Sequence, residues 1–130
     1  MAKLIQTESQ IQSAFITWTR YAEARYPALK LAFSVPNGAW TKNIALAMKL
    51  KREGMRPGVP DWILPVVQWS NRGAGYVTWH GLAIEFKRPG AKVNKQQFAY
   101  HDLLRDQGWL IEVCNDWQVA RQRVEKYLSS

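Results

Sequence analysis

Leu82-Ala83-Ile84-Glu85-Phe86-Lys87 ends a run, residues 76–87, that reads as a β-strand stopped by Pro89-Gly90. Side chains alternate across a strand, so Leu82, Ile84 and Phe86 share one face and Ala83, Glu85 and Lys87 the other. A carboxylate and an ammonium therefore stand side by side, backed by an apolar face. Upstream, the turn Arg56-Pro57-Gly58-Val59-Pro60 delivers the chain to Asp61 and a strand over 61–68. A turn-rich loop over 70–75 separates the two strands, which predicts a hairpin with Asp61 and Glu85 on neighbouring strands.

The rest of the chain supplies helices around that hairpin. Thr7 and Gln10 form a capping box that opens a helix over 7–25, with Ile11, Phe15, Trp18 and Ala22 as its apolar stripe. Glu8 falls on the same stripe, one turn before Ile11, and is expected to point toward the core. A strand over 29–35 stops at Pro36-Asn37-Gly38. A helix over 41–53, ended by Gly54, carries Lys42, Lys49, Lys51 and Arg52. Asn94 caps a helix over 94–107 that Gly108 closes, and a strand follows over 109–114. Asn115 with Gln118 caps a last helix, with Trp117, Ala120, Val124 and Leu128 inward. The order α-β-α-β-β-α-β-α predicts an α/β fold, a mixed central sheet flanked by helices, in one domain over residues 1–130.

Composition narrows the function. The 130 residues carry a formal charge of +8. Residues 26–101 hold eleven Lys or Arg against three acids, Glu53, Asp61 and Glu85. A basic middle points to a polyanionic partner, most often nucleic acid. The single cysteine, Cys114, excludes an internal disulfide and a cysteine-based metal cluster, and suits a reducing cytoplasm as a small buried hydrophobe. The longest apolar run, 62–67, is too short to span a membrane, and the N-terminus has no signal core. His80 and His101 lack ligand spacing and read as structural.

Phosphodiester cleavage requires that a water lose a proton, that the leaving oxygen be stabilised and that the added negative charge be balanced. Carboxylates holding a hard divalent cation meet much of this need. Asp61 and Glu85 are the candidates to share Mg²⁺ or Mn²⁺, with the Phe86 carbonyl as an extra ligand and Glu8 completing the shell. Lys87 would orient the water or balance charge on phosphorus. Each residue has a plainer reading. Glu85 and Lys87 are an ion pair, Asp61 a turn residue, Glu8 a charge at a helix N-terminus and Gln97 the partner of Asn94 in a capping box. Against these, Asp61 and Glu85 are the only acids between Gly54 and His101.

Pro60-Asp61 together with Glu85-Phe86-Lys87 resembles the PD-(D/E)xK nuclease superfamily. The chain is similar, more specifically, to the VRR-NUC family of virus-type replication-repair nucleases over about residues 8–108. The shared features are Glu8 on an early helix, Pro36-Asn37-Gly38 after a strand, and Gly54 and Gly58-Val59-Pro60-Asp61 leading into an apolar strand. Glu85-Phe86-Lys87, Gln97 on the next helix and Gly108 before a strand complete the pattern. The resemblance implies a restriction-endonuclease-like fold. Asp61, Glu85 and the Phe86 carbonyl would be metal ligands, Lys87 the catalytic lysine, and Glu8 and Gln97 accessory residues. It also implies a small homodimeric, structure-specific DNA endonuclease, often phage-encoded, acting on branched DNA such as four-way junctions in replication or repair. Such a protein would work in the cytoplasm of a bacterial or phage-infected cell. DNA contact is expected from Lys42, Lys49, Lys51, Arg52, Arg56, Arg88, Lys92 and Lys95. The alternatives are a non-catalytic DNA-binding module that keeps the fold, and an enzyme acting on small phosphorylated molecules. The second leaves the long basic segment unexplained.

Overall fold

The computed structural model describes residues 5–36, 42–70 and 75–129. Asn37 and Gly38 of the expected turn, Thr41 at the start of the expected second helix and Arg72 lie outside them. The elements run α1 (Glu8–Ala22), a 3-10 turn (Pro27–Leu31), β1 (Phe33–Ser34), α2 (Ile44–Arg52), β2 (Trp62–Leu64), β3 (Gln68–Trp69), β4 (Val77–Trp79), β5 (Gly81–Phe86), α3 (Lys95–Asp106), β6 (Trp109–Cys114) and α4 (Trp117–Leu128). Four strands form a mixed sheet in the order β1-β2-β5-β6, antiparallel except for β5 beside β6. This is the α/β architecture that the element order predicts.

The hairpin is present but bent into two levels. β2 pairs with β5, setting Trp62 opposite Ile84 and Leu64 opposite Leu82. Farther out, β3 pairs with β4 as a separate ladder. The two long strands expected over 61–68 and 76–87 are each split. Pro65 has no N–H to give a ladder, and the Val66 N–H instead bonds back to Leu64 O at 2.9 Å. On the partner strand, a Cβ on Gly81 would lie 2.4 Å from the Trp109 ring, so only glycine lets the chain pass beneath that indole.

Three other local expectations shift. The strand expected over 29–35 is mostly the 3-10 turn, because Pro27 at its start holds φ in the helical range and leaves Phe33 and Ser34 alone to pair with β2. α2 begins after Asn43, whose side chain accepts from the Leu46 N–H. α4 is capped by Asp116 rather than Asn115. Asp116 Oδ1 accepts from the Gln118 N–H at 2.7 Å, doing one residue later what an asparagine oxygen does.

Leu82, Ile84 and Phe86 face a core built with Ile11, Phe15 and Ala22 of α1, Trp62 and Leu64 of β2, and Ala120, Val124 and Tyr127 of α4. Trp18, Trp117 and Leu128 are half-buried against it, and the expected Cys114 is within it. Phe15 is the hub: its ring lies 4.9 Å from Trp62, edge-on, and 5.2 Å from Phe86. Burying such a ring stabilises by roughly 1.5–3 kcal/mol. α1 and α4 thus cover the even-numbered face of β5. α3, in the crossover between parallel β5 and β6, lies over the other face, and the residues it buries are polar: Gln97 and His101.

Candidate active site

The register that pairs Trp62 with Ile84 brings Asp61, the preceding residue, level with Glu85. Directly opposed residues of an antiparallel pair point to the same face. The Asp61 carboxylate also closes the end of the ladder, since its Oδ2 accepts the Phe86 N–H at 2.7 Å. Asp61 and Glu85 act on each other as neighbouring carboxyl groups, through side-chain contact and charge. Asp61 is half-buried and Glu85 is 1% exposed.

Two carboxyl groups so close and so dry do not both ionise readily. Burial first, and the Glu85 carboxyl second, push Asp61 up to about 7. Burial also raises Glu85, against the pull of its contact with Asp61 and of the Lys87 charge. The pair is short of positive charge, and Lys87 supplies part of it from the same face. Lys87 is 8% exposed, its backbone N–H is tied to Cys114 O at 3.0 Å, and its ammonium lies 3.9 Å from Glu8 Oε1. Glu8 does not point into the core as its place on the α1 stripe suggested. At the first turn of the helix there is no preceding turn to cover it. Its side chain remains 47% exposed and reaches the site from the rim.

His101 belongs to this cluster, although its lone position in the sequence gave no ligand pattern. It is 1% exposed, and its Nε2 lies 3.2 Å from Glu85 Oε1. Burial, then the positive charges of Arg105 and Lys87, lower its affinity for a proton. A signal was available: His101 stands four residues after Gln97, one helical turn along the same face. Gln97 is buried, and its Oε1 accepts the Asn94 N–H at 3.0 Å while its own N–H donates to Asn94 Oδ1. The plainer reading of Gln97 as a capping residue is therefore correct as far as that oxygen goes. Among the described residues, Gln97 makes no hydrogen bond to Asp61, Glu85 or Lys87.

The turn before Asp61 abuts the same helix. Gly58 has φ +86°, and a Cβ there would lie 2.4 Å from the backbone oxygen of Gln96. α3 thus touches the Asp61 side of the site through Gly58 and the Glu85 side through His101. Lys42, Lys49, Lys51, Arg52, Arg56, Arg88, Lys92 and Lys95 are all exposed. Lys49 is partly engaged with Glu53 at 3.7 Å.

Among the described residues no three His, Cys, Asp or Glu side chains form a metal-ligand cluster. The donor set is two carboxylates, which suits a hard cation that keeps several waters rather than one caged by protein. The fit rests on the buried carboxylate pair, whose mutual repulsion a divalent ion relieves. Among the described residues, no helix is long and apolar enough to cross a membrane.

The family model of the VRR-NUC domain matches residues 2–117. A solved structure described as a VRR-NUC domain protein is similar in fold, with a TM-score of 0.75 over 97% of this chain and 91% of that chain, at 21% sequence identity. Comparison with curated proteins finds no match.

Proposed function

The chain belongs to the VRR-NUC family of nucleases, and on that premise we propose that it is a metal-dependent, structure-specific DNA endonuclease centred on Asp61, Glu85 and Lys87. The observation that carries the reading is the buried pairing of Asp61 with Glu85, with the Lys87 ammonium on the same face. An ordinary ion pair of Glu85 with Lys87 does not account for a second carboxyl, Asp61, held beside Glu85 and raised to about 7.

Asp61 and Glu85 would hold Mg²⁺ or Mn²⁺. Phe86 lends its carbonyl, because in an extended strand a residue's N–H and C=O point to the same side, and the Phe86 N–H is turned to Asp61. When bound, such an ion polarises the phosphate and makes water a stronger nucleophile. Lys87 balances the charge that builds on phosphorus and orients the attacking water. Glu8, at the rim, holds the Lys87 ammonium in place and offers a further oxygen. Gln97, buried on α3 beside the same face, would serve as an accessory residue of the site.

The exposed cations of α2 and of the segments after Lys87 would contact phosphates. Contacts of this kind give affinity without base reading and suit selection by DNA shape, such as a four-way junction or a flap. Two symmetric cuts in a junction need two centres, which one chain does not offer, so the working form is a homodimer. A phage or bacterial replication-repair role in the cytoplasm accords with the family.

The test is cleavage of labelled linear, flap and four-way junction DNA with and without Mg²⁺ or Mn²⁺. The expected result is metal-dependent cutting of branched DNA, lowered by roughly 10²-fold or more in Asp61→Ala and Lys87→Ala. Intact DNA in every metal-containing reaction, with binding retained, would replace this reading with a non-catalytic DNA-binding module.

A further inference from the structure

α3 is an amphipathic helix turned the unusual way. It leaves Phe98 58% and Leu103 63% exposed, while the side chains it buries are Gln97 and His101. A helix that packs on polar groups over a sheet face is held there by what those groups touch. His101 touches Glu85: Nε2 lies 3.2 Å from Oε1, with the two side chains 1% and 2% exposed. Asp61 and Lys87 from the sheet, and Asp102 and Arg105 from α3 itself, also act on the ring electrostatically.

This contact has a geometric consequence. A buried carboxylate on a strand end can rotate about its last bond unless one of its oxygens is held. In the Nε2–H tautomer the ring donates to Oε1, which restricts that rotation and leaves Oε2 to meet a cation. We propose that His101 is a positioning residue for the metal: it holds the Glu85 carboxylate in the one orientation that lets it share a divalent cation with Asp61. The proposal rests on the metal-dependent reading above and adds a residue which that reading does not use. Hydrogen-bond partners of ligating carboxylates tune metal affinity by about tenfold to a hundredfold.

The experiment titrates Mn²⁺ into protein without DNA, by calorimetry, for the wild type, His101→Phe, His101→Gln and Asp61→Asn. Phenylalanine keeps the ring volume and removes the donor, whereas the glutamine amide restores a donor near Nε2. The expected result is weaker Mn²⁺ binding by about tenfold or more in His101→Phe, recovery of most of the affinity in His101→Gln, and loss of binding in Asp61→Asn. Folded His101→Phe that binds Mn²⁺ as the wild type does would overturn the role of His101 while leaving the function reading intact. A wild type that binds no Mn²⁺ would remove the function reading itself, and this one with it. Should His101→Phe fail to fold, long-range ¹⁵N correlation spectra of the metal-free wild type decide. An Nε2–H tautomer at His101 supports the proposal, and an Nδ1–H tautomer overturns it.

Discussion

Asp61 is the residue at which the demands of folding and of the proposed chemistry oppose each other. Its carboxyl is raised from 3.8 to about 7, chiefly by burial, so between those pH values the folded chain holds a proton that the unfolded chain releases. The stability it contributes is present below about pH 4 and lost as pH rises through 7. Calorimetry in chelator should therefore show that Asp61→Asn flattens the fall in Tm of the wild type between pH 4 and 7. An unchanged slope would mean that Asp61 is not buried beside Glu85. Gly58 makes a second test. Alanine there is strained by φ +86° and meets the Gln96 backbone, so Gly58→Ala should lower stability by about 2 kcal/mol or more in urea unfolding. At this scale Asp61, Glu85 and Lys87 were legible because strand alternation and a short hairpin constrain them. His101 was not, because its partner is reached through a crossover whose packing no local pattern records.

At the scale of elements, α2 is a basic helix with no fully buried side chain among its residues, which leaves its cations available for the phosphate contacts of the proposed function. Lys51 and Arg52 are exposed on it. In the double variant Lys51→Ala/Arg52→Ala, the slope of log affinity for duplex DNA against log salt should become shallower by about 1.8. An unaltered slope would place the DNA elsewhere. Agreement is good where periodicity runs long: α1 and α4 bury Ile11, Phe15, Ala22, Ala120 and Val124 of the expected stripes and half-bury the rest, α3 lies between Asn94 and Gly108, and β6 follows Gly108. The misreadings cluster at Pro27, Pro65 and Gly81. There a backbone lacking an N–H, or an indole lying over the strand, interrupts runs whose side chains still look strand-like. Glu8 was placed by helical phase alone, and phase does not say that a first turn lies beyond the edge of the core.

Over the whole molecule, charge and topology divide the work. α1 and α4 close one face of the sheet around Phe15, and the other face keeps its carboxylates, Lys87 and His101 beneath α3. The concentration of positive charge in residues 26–101 surrounds two acids that would otherwise be out of place there. If the working enzyme is a homodimer, light scattering should give twice the chain mass of 15.0 kDa, and a monomer at all concentrations would count against paired cuts. Convergence of Asp61 and Glu85 on one divalent ion is decided by the anomalous scattering of a crystal grown with Mn²⁺. The expected result is a peak at about 2.0–2.3 Å from an oxygen of each carboxylate. Full-strength density bound elsewhere, with Asp61 and Glu85 joined only to each other, would contradict it.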